Sequence, residues 1–353
     1  MKAIDLFCGC GGLTLGLKNA GFEVIGAVDN EPLAVRTYLD NHPEVKVWDD
    51  EIQKLTGDIV KKDLGIRPGE LDLLAGCPPC QGFSTLSTLN GAKKAGQEQQ
   101  KQNDLVFEFM RLVKELQPKA VMMENVPGLF KDKRLEQVLS ELGELGYHNE
   151  REEVVQVLDV ADYGVPQRRK RMILMTTKVG KVAFAKPLTK RKTVRVTFDE
   201  ANLPKPGESG DELHDLPEKR TAAMVARIKA VPADGGSRLD LPIELQCPCH
   251  VRDGKHLNIF RDVYGRMKWK DVSPTITSGC NNPSKGRFIH PEEHRAISLR
   301  EAALLQSFPL DYKFRLDKGR GGVALMIGNA LPPEFIRVQA EQIRLKLTSE
   351  VLS

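Results

Sequence analysis

The chain has 353 residues, with 52 Lys+Arg against 48 Asp+Glu, and is 41% hydrophobic and 28% charged. At roughly 150 residues per domain, this length predicts two domains or one large α/β domain with an insertion, and the apolar content excludes global disorder. No apolar run reaches the ~18 residues of a membrane span, and the N-terminus meets Asp5 and Gly9 before any apolar stretch, so neither an anchor nor a secretory signal is expected.

In chain order, residues 3–7 predict a short strand running into a glycine turn, Gly9 to Gly12. A helix follows from Leu13, with Leu17 and Ala20 on the same face, and Gly21 stops it. Residues 24–28 predict a second strand ending at Asp29, and residues 45–48 a third. A fourth, over 71–75, runs into Gly76-Cys77-Pro78-Pro79-Cys80. The polar stretch 91–102 reads as a loop, and residues 104–116 as a helix. A strand over 120–123 ends at Glu124-Asn125, and two more are expected over 154–158 and 172–176. This alternation predicts a doubly wound parallel sheet, whose ligands sit at the carboxyl ends of strands. The glycine turn, Asp29, Cys80 and Glu124 all fall at such ends.

The alternation breaks near residue 187. Residues 187–290 are rich in Pro, Gly, Asn and Asp, with helical stretches expected near 219–230 and 299–307. They predict a second, smaller, irregular domain. Pro332-Pro333 then opens a helix with Ile336, Ala340, Ile343 and Leu347 on one face. Seven cysteines, an odd number in scattered pairs, predict a reduced, cytoplasmic protein without a disulfide framework. Charge is uneven: residues 168–195 hold eleven Lys/Arg and no Asp/Glu, so the remainder carries −7 within a total of +4. Such a basic block fits a polyanion such as nucleic acid, or a solvated surface strand.

The strand-to-helix glycine loop allows close backbone approach to a nucleotide-like ligand, but its spacing is not that of a dinucleotide fingerprint. Asp29, ending the next strand, is placed to accept from a ribose diol. Two prolines fix the backbone ahead of Cys80, a candidate nucleophile on a rigid loop. Cys77 and Cys80 also form C-x-x-C, but the intervening prolines disfavour a redox pair, and no second half of a zinc site lies nearby. Glu124 can keep or share a proton at a buried strand end, forming an acid–nucleophile pair with Cys80. Along Gln167-Arg168-Arg169-Lys170-Arg171, strand alternation places Arg169 and Arg171 on one face.

Taken together, DLFCGCGG, GCPPCQGFS, MENVPGL, the Gln167–Arg171 run, RAISLREAALLQSFP and GNALPP resemble, in order, the motifs of the DNA (cytosine-5) methyltransferases. The resemblance spans nearly the whole chain. It implies a Rossmann-like S-adenosylmethionine-dependent sheet over 1–186 plus 328–353, and a target-recognition domain and hinge over 187–327. The implied catalytic residues are Cys80, Glu124, Arg169 and Arg171. The implied cofactor residues are Phe7, Gly9, Cys10, Gly11, Gly12, Leu13, Asp29, Asn30, Glu51, Ile52, Pro79, Leu105, Asn329 and Ala330. Asp29 stands where the family often has Glu, and Asp58 competes with Glu51 for the acidic position after the third strand. Gln81, Ser84, Gln167, Arg168, Arg261, Arg266 and Lys268 are the expected DNA contacts.

The chemistry implied is addition of the Cys80 thiolate to C6 of a flipped cytosine, with Glu124 at N3. Methyl transfer to C5, loss of the C5 proton and expulsion of Cys80 follow. The partner expected is duplex DNA, acted on by a monomer near the nucleoid, as the modification arm of a restriction–modification system whose endonuclease acts separately. A tRNA cytosine methyltransferase, or a catalytically dead nucleic-acid-binding regulator, is the alternative. The tRNA branch usually has Pro-Phe-Thr where this chain has Gly82-Phe83-Ser84. Cys247, Cys249 and His250, with His256 and Cys280, raise a zinc reading, but C-x-C-H is poor finger spacing and no metal is expected.

Overall fold

A computed structural model describes residues 1–79, 104–257 and 259–351. Cys80, Gln81, Ser84 and the stretch 91–102 lie outside the described residues. The chain divides into two compact units: Met1–Tyr163 with Lys170–Thr189 and Leu331–Ser353, and Gly164–Arg169 with Lys190–Ala330. The segment Gly164–Arg169, placed in the first domain by sequence, thus groups with the second unit.

The first unit is built on β1 (Lys2–Leu6), α1 (Gly12–Asn19), β2 (Glu23–Asp29), α2 (Pro32–Asn41), β3 (Lys46–Asp49), α3 (Gly57–Leu64), β4 (Leu73–Gly76), α4 (Leu105–Leu116), β5 (Ala120–Asn125), α5 (Lys133–Glu144), β6 (Val155–Asp159) and β7 (Lys170–Thr177). Seven strands form one sheet in the order β3-β2-β1-β4-β5-β7-β6. The pairings from β3 through β5 are parallel, whereas β7 runs antiparallel to both β5 and β6. The sheet is therefore mixed rather than wholly parallel, because a short return connection brings β7 back between its neighbours.

All six residues of β5 are buried, as expected for a strand covered on both faces. On one face, Ile4, Leu6, Leu74, Val121 and Met123 share a core with Phe109, Leu112 and Val113 of α4 and Leu135, Val138 and Leu142 of α5. Each such side chain contributes about 1.5–3 kcal/mol by leaving water. Helix α5 was not predicted, although its apolar residues recur at helical spacing and Asp132 caps it by accepting from the Arg134 N–H. The C-terminal helix, Pro333–Val351, buries the predicted face of Ile336, Ala340, Ile343 and Leu347. It packs on α1 at Gly16, where a Cβ would lie 2.6 Å from the Pro333 carbonyl oxygen and 2.5 Å from Ile336 Cβ. Any larger residue at Gly16 would force these helices apart.

The second unit is irregular. It holds helices Val194–Ala201, Ala222–Ala230, Leu299–Leu305 and Gly319–Asn329, several single turns, and a two-stranded ribbon. Part of its core is a small cluster of Ile228, Val231, Leu241, Tyr264 and Ile289. Arg238 and Arg266 are among the largest fully buried side chains. No described helix is long and apolar enough to cross a membrane.

Candidate active site

The turn after β1 is shaped by three left-handed residues: Phe7 (φ 63°), Gly9 (φ 52°) and Gly11 (φ 95°). Such a φ is uncommon for a bulky residue like Phe7 and marks a conformation held by its surroundings. Those surroundings are visible. The Cys8 N–H donates to the Val28 carbonyl at 3.0 Å, and Gly11 N–H to the Cys8 carbonyl at 2.9 Å. Asp29 accepts from the Gly9 N–H at 2.8 Å and the Glu31 N–H at 2.9 Å. Burial raises the Asp29 carboxyl above its ordinary range, against the backbone donors that lower it. Asp29 thus holds the turn in shape as well as ending β2.

Beneath the turn, the Thr14 hydroxyl donates to buried Asp5 at 2.7 Å and also meets the Tyr38 hydroxyl at 2.9 Å. Burial pushes the Asp5 carboxyl up to about 8 and the Cys10 thiol up to about 12. Cys8 is raised as well. Neither cysteine of this turn is suited to nucleophilic chemistry, because the thiolate is the reactive form.

Gly12, Leu13 and Ile52 are buried, Phe7, Gly9, Pro79 and Leu105 are half-buried, and Asn30 and Glu51 are exposed. Arg111 was not anticipated. From α4 it donates to the Ile52 and Leu55 carbonyls, both at 2.9 Å, and fixes the loop after β3. Asn329 and Ala330 lie at the end of a helix in the second unit.

At the ends of β4 and β5 a tight cluster forms. Glu124 is 2% exposed. The Cys77 thiol donates to its Oε2 at 2.8 Å, and Arg171 Nε ion-pairs with its Oε1 at 2.8 Å. Asn125 donates from Nδ2 to the Pro78 carbonyl at 3.0 Å, tying the start of the cysteine loop to β5. The arrangement follows from register: β4 lies beside β5, and β5 beside β7, which carries Arg171. The structure thus brings Glu124 and Arg171 together, with Cys77 and Asn125 beside them, which sequence reasoning did not assign.

Three expectations need correction. Arg169 does not share a strand face with Arg171, because β7 starts at Lys170. It is buried, and its guanidinium donates to the Ile276 and Gly328 carbonyls, each at 3.0 Å. These two bonds clamp backbone within the second unit. Gln167 is fully buried, donating to Gln306 at 2.7 Å and accepting from the Ile276 N–H at 2.7 Å, so it is no DNA contact. Arg266 is also fully buried, donating to the Val231, His290 and Ile228 carbonyls at 2.9 Å and to that of Glu293. Alternation and composition cannot reveal an arginine used as a core strut. By contrast, Arg168, Arg261 and Lys268 are exposed, Arg168 with Asp271 at 3.4 Å. Around Cys247, Cys249, His250, His256 and Cys280, as elsewhere among the described residues, no three His, Cys, Asp or Glu side chains are grouped to hold a metal ion.

The seven-stranded sheet with its antiparallel seventh strand, the glycine turn and the Cys77–Glu124–Arg171 cluster define a Rossmann-like methyltransferase. The family model for C-5 cytosine-specific DNA methylase matches residues 1–345. The chain belongs to that family, and methyl transfer to C5 of cytosine in DNA is the reaction this membership assigns. It is 36% identical over 356 residues to the Type II methylase M.HgiDII of Herpetosiphon aurantiacus, covering 97% of this chain and 94% of that one. It is 32% identical over 354 residues to the Type II methyltransferase M1.HphI of Haemophilus parahaemolyticus, covering 98% and 87%. Among solved structures, a protein described as a candidate DNA modification methyltransferase from an E. coli prophage shares the fold, with TM-score 0.69, 22% identity and 99% of each chain covered. A Spodoptera frugiperda DNMT2 mutant does so at TM-score 0.60 and 18% identity, over 97% of this chain and 99% of that one.

Proposed function

We propose that this chain uses S-adenosylmethionine to methylate cytosine within a specific duplex DNA sequence, as the modification arm of a Type II restriction–modification system. The observation that carries the reading is the cluster around Glu124: a buried carboxylate, held by Arg171 and Cys77, at the root of the Cys80 loop. The Type II relatives, alike over nearly their whole length, support DNA over tRNA as substrate and a modification role.

The residues fit the cofactor. Among the described residues, nothing lies within 4 Å of where a Gly9 Cβ would point, so the left-handed turn leaves space at the end of β1. Asp29 supplies a carboxylate beside it. Phe7, Gly9, Gly11 and Asp29 would hold the nucleoside end, with Glu51, Ile52, Pro79 and Leu105 further round. When bound, S-adenosylmethionine supplies an electrophilic methyl group.

The chain's own work is to make C5 nucleophilic. Cys80 adds to C6 of the flipped base, forming a C–S bond and pushing electron density to C5. Glu124 stabilises this change by protonating or hydrogen-bonding N3, and Arg171 fixes the orientation of its carboxyl group. After C5 is methylated, a water takes its proton and the C6–S bond breaks, releasing the Cys80 thiolate and restoring the ring. The unit of 190–330 carries sequence recognition, with Arg261 and Lys268 exposed for phosphate or base contacts. Bisulfite sequencing of host DNA after expression tests the whole reading. Protected cytosines in one sequence context are expected; uniform conversion would refute it.

A further inference from the structure

The second unit carries an exposed two-stranded finger. Val251–Arg252 and Lys255–His256 pair as antiparallel strands. Asp253 (φ 51°) and Gly254 (φ 69°) are both left-handed, the geometry of a two-residue hairpin whose twist matches its strands. The ladder continues where the Leu257 N–H donates to the His250 carbonyl at 2.9 Å. Arg252, Lys255 and His256 are exposed.

Just beyond the hairpin, Ile259 is 44% exposed and Phe260 63%, the most exposed large apolar side chain among the described residues. Phe260 is also left-handed (φ 47°), an uncommon conformation for a bulky residue. Fully buried Arg238 holds this turn from beneath. It donates to the Phe260 carbonyl at 3.1 Å, the Leu257 carbonyl at 2.6 Å and the Ile259 carbonyl. Three carbonyls on one guanidinium make a stiff mount for an exposed aromatic ring. The flanking charge is basic. Arg261 is exposed, and the one acid beside it, Asp262, is paired with Arg287 at 3.2 Å.

We propose that this finger engages duplex DNA, with Arg252, Lys255 and Arg261 at phosphates and Phe260 as an apolar wedge against a base step. A two-stranded ribbon fits a DNA groove, and apolar wedges unstack base steps. The proposal rests on the reading of 190–330 as the recognition unit. Unstacking a base step lowers the cost of extruding a base from it.

The test uses the full chain and a duplex carrying the site found by sequencing, with the target cytosine either paired or opposite an abasic position. Phe260→Ala should lower kcat/KM on the paired duplex by about 10-fold or more and be largely rescued on the pre-opened one, where unstacking is already done. Phe260→Trp should retain activity. Arg252→Ala, Lys255→Ala and Arg261→Ala should weaken both duplexes alike and flatten the salt dependence. S-adenosylhomocysteine affinity should stay unchanged throughout. Wild-type kinetics for Phe260→Ala, or equal loss on both duplexes, would overturn the wedge. A change in self-association alone would assign the ring to a second copy and overturn it too. If the three basic variants also left binding unchanged, the recognition role of the whole unit would fall, whereas their loss beside a silent Phe260→Ala would remove the wedge only.

Discussion

The two units use charged side chains in opposite ways. In the sheet unit, a charged pair lies at the ends of β5 and β7. Glu124 is buried, with Arg171 and Cys77 on its two oxygens. In the irregular unit, buried arginines stand where a regular fold would have leucines. Arg238 and Arg266 are fully buried and bind mainly backbone carbonyls. The lesson is that a unit without continuous strands leaves carbonyls unpaired in its interior, and a five-donor guanidinium satisfies several at once.

The largest effect expected from this contrast is on the chemistry side. Glu124→Gln should lower kcat by about 10²–10⁴-fold, the usual scale for losing a general acid, while S-adenosylhomocysteine affinity barely changes. Rapid-quench methylation beside calorimetry checks it, and a loss of affinity with normal kcat would break the assignment.

Next is a scaffold effect. Arg266 and Lys268 are two residues apart and look alike in sequence, yet one is fully buried and the other exposed. Arg266→Ala should destabilise by about 3–5 kcal/mol, the scale for breaking a buried charged network, and Lys268→Ala by less than about 0.5 kcal/mol. Urea unfolding of the pair measures the difference. Equal effects would mean Arg266 is no strut.

Asp29→Ala comes third. Losing a charged acceptor that also holds the Gly9 N–H should weaken S-adenosylhomocysteine binding by about 1–3 kcal/mol. Calorimetry with an unchanged affinity would remove Asp29 from the cofactor site.

A fourth effect is on pH dependence. Burial lifts the Asp5 carboxyl from an ordinary value of about 3.9 to about 8. Between those values the folded chain holds a proton that the unfolded chain has released, so stability falls as pH rises through that window. Asp5→Asn should flatten this part of the curve, read as Tm against pH. A curve parallel to wild type would show that Asp5 ionises normally.

Much of the sheet unit was legible because strands and helices announce themselves by period, and strand ends follow from the βα alternation. Strand direction does not, so the antiparallel β7 was not visible, and with it the boundary that separates Arg169 from Arg171. The Cys77–Glu124 contact depends on register between β4 and β5, which no local pattern encodes. In the irregular unit, Arg, Lys and Gln were read as surface residues, the usual fate of these types. The structure instead buries Gln167 and Arg266. The Asp253-Gly254 hairpin did carry a signal, since Asp-Gly favours a two-residue turn, but its strands are only two residues each.

In the proposed chemistry, Cys80 attacks C6 while Glu124 assists. Covalent capture tests it most directly. A duplex with 5-fluorocytosine at the target should trap wild-type protein with S-adenosylmethionine present, because the C5 fluorine cannot leave as the proton does. Cys80→Ser should trap nothing yet still bind cofactor, and Cys77→Ser should still trap. Capture by Cys80→Ser, or its loss in Cys77→Ser alone, would contradict the account.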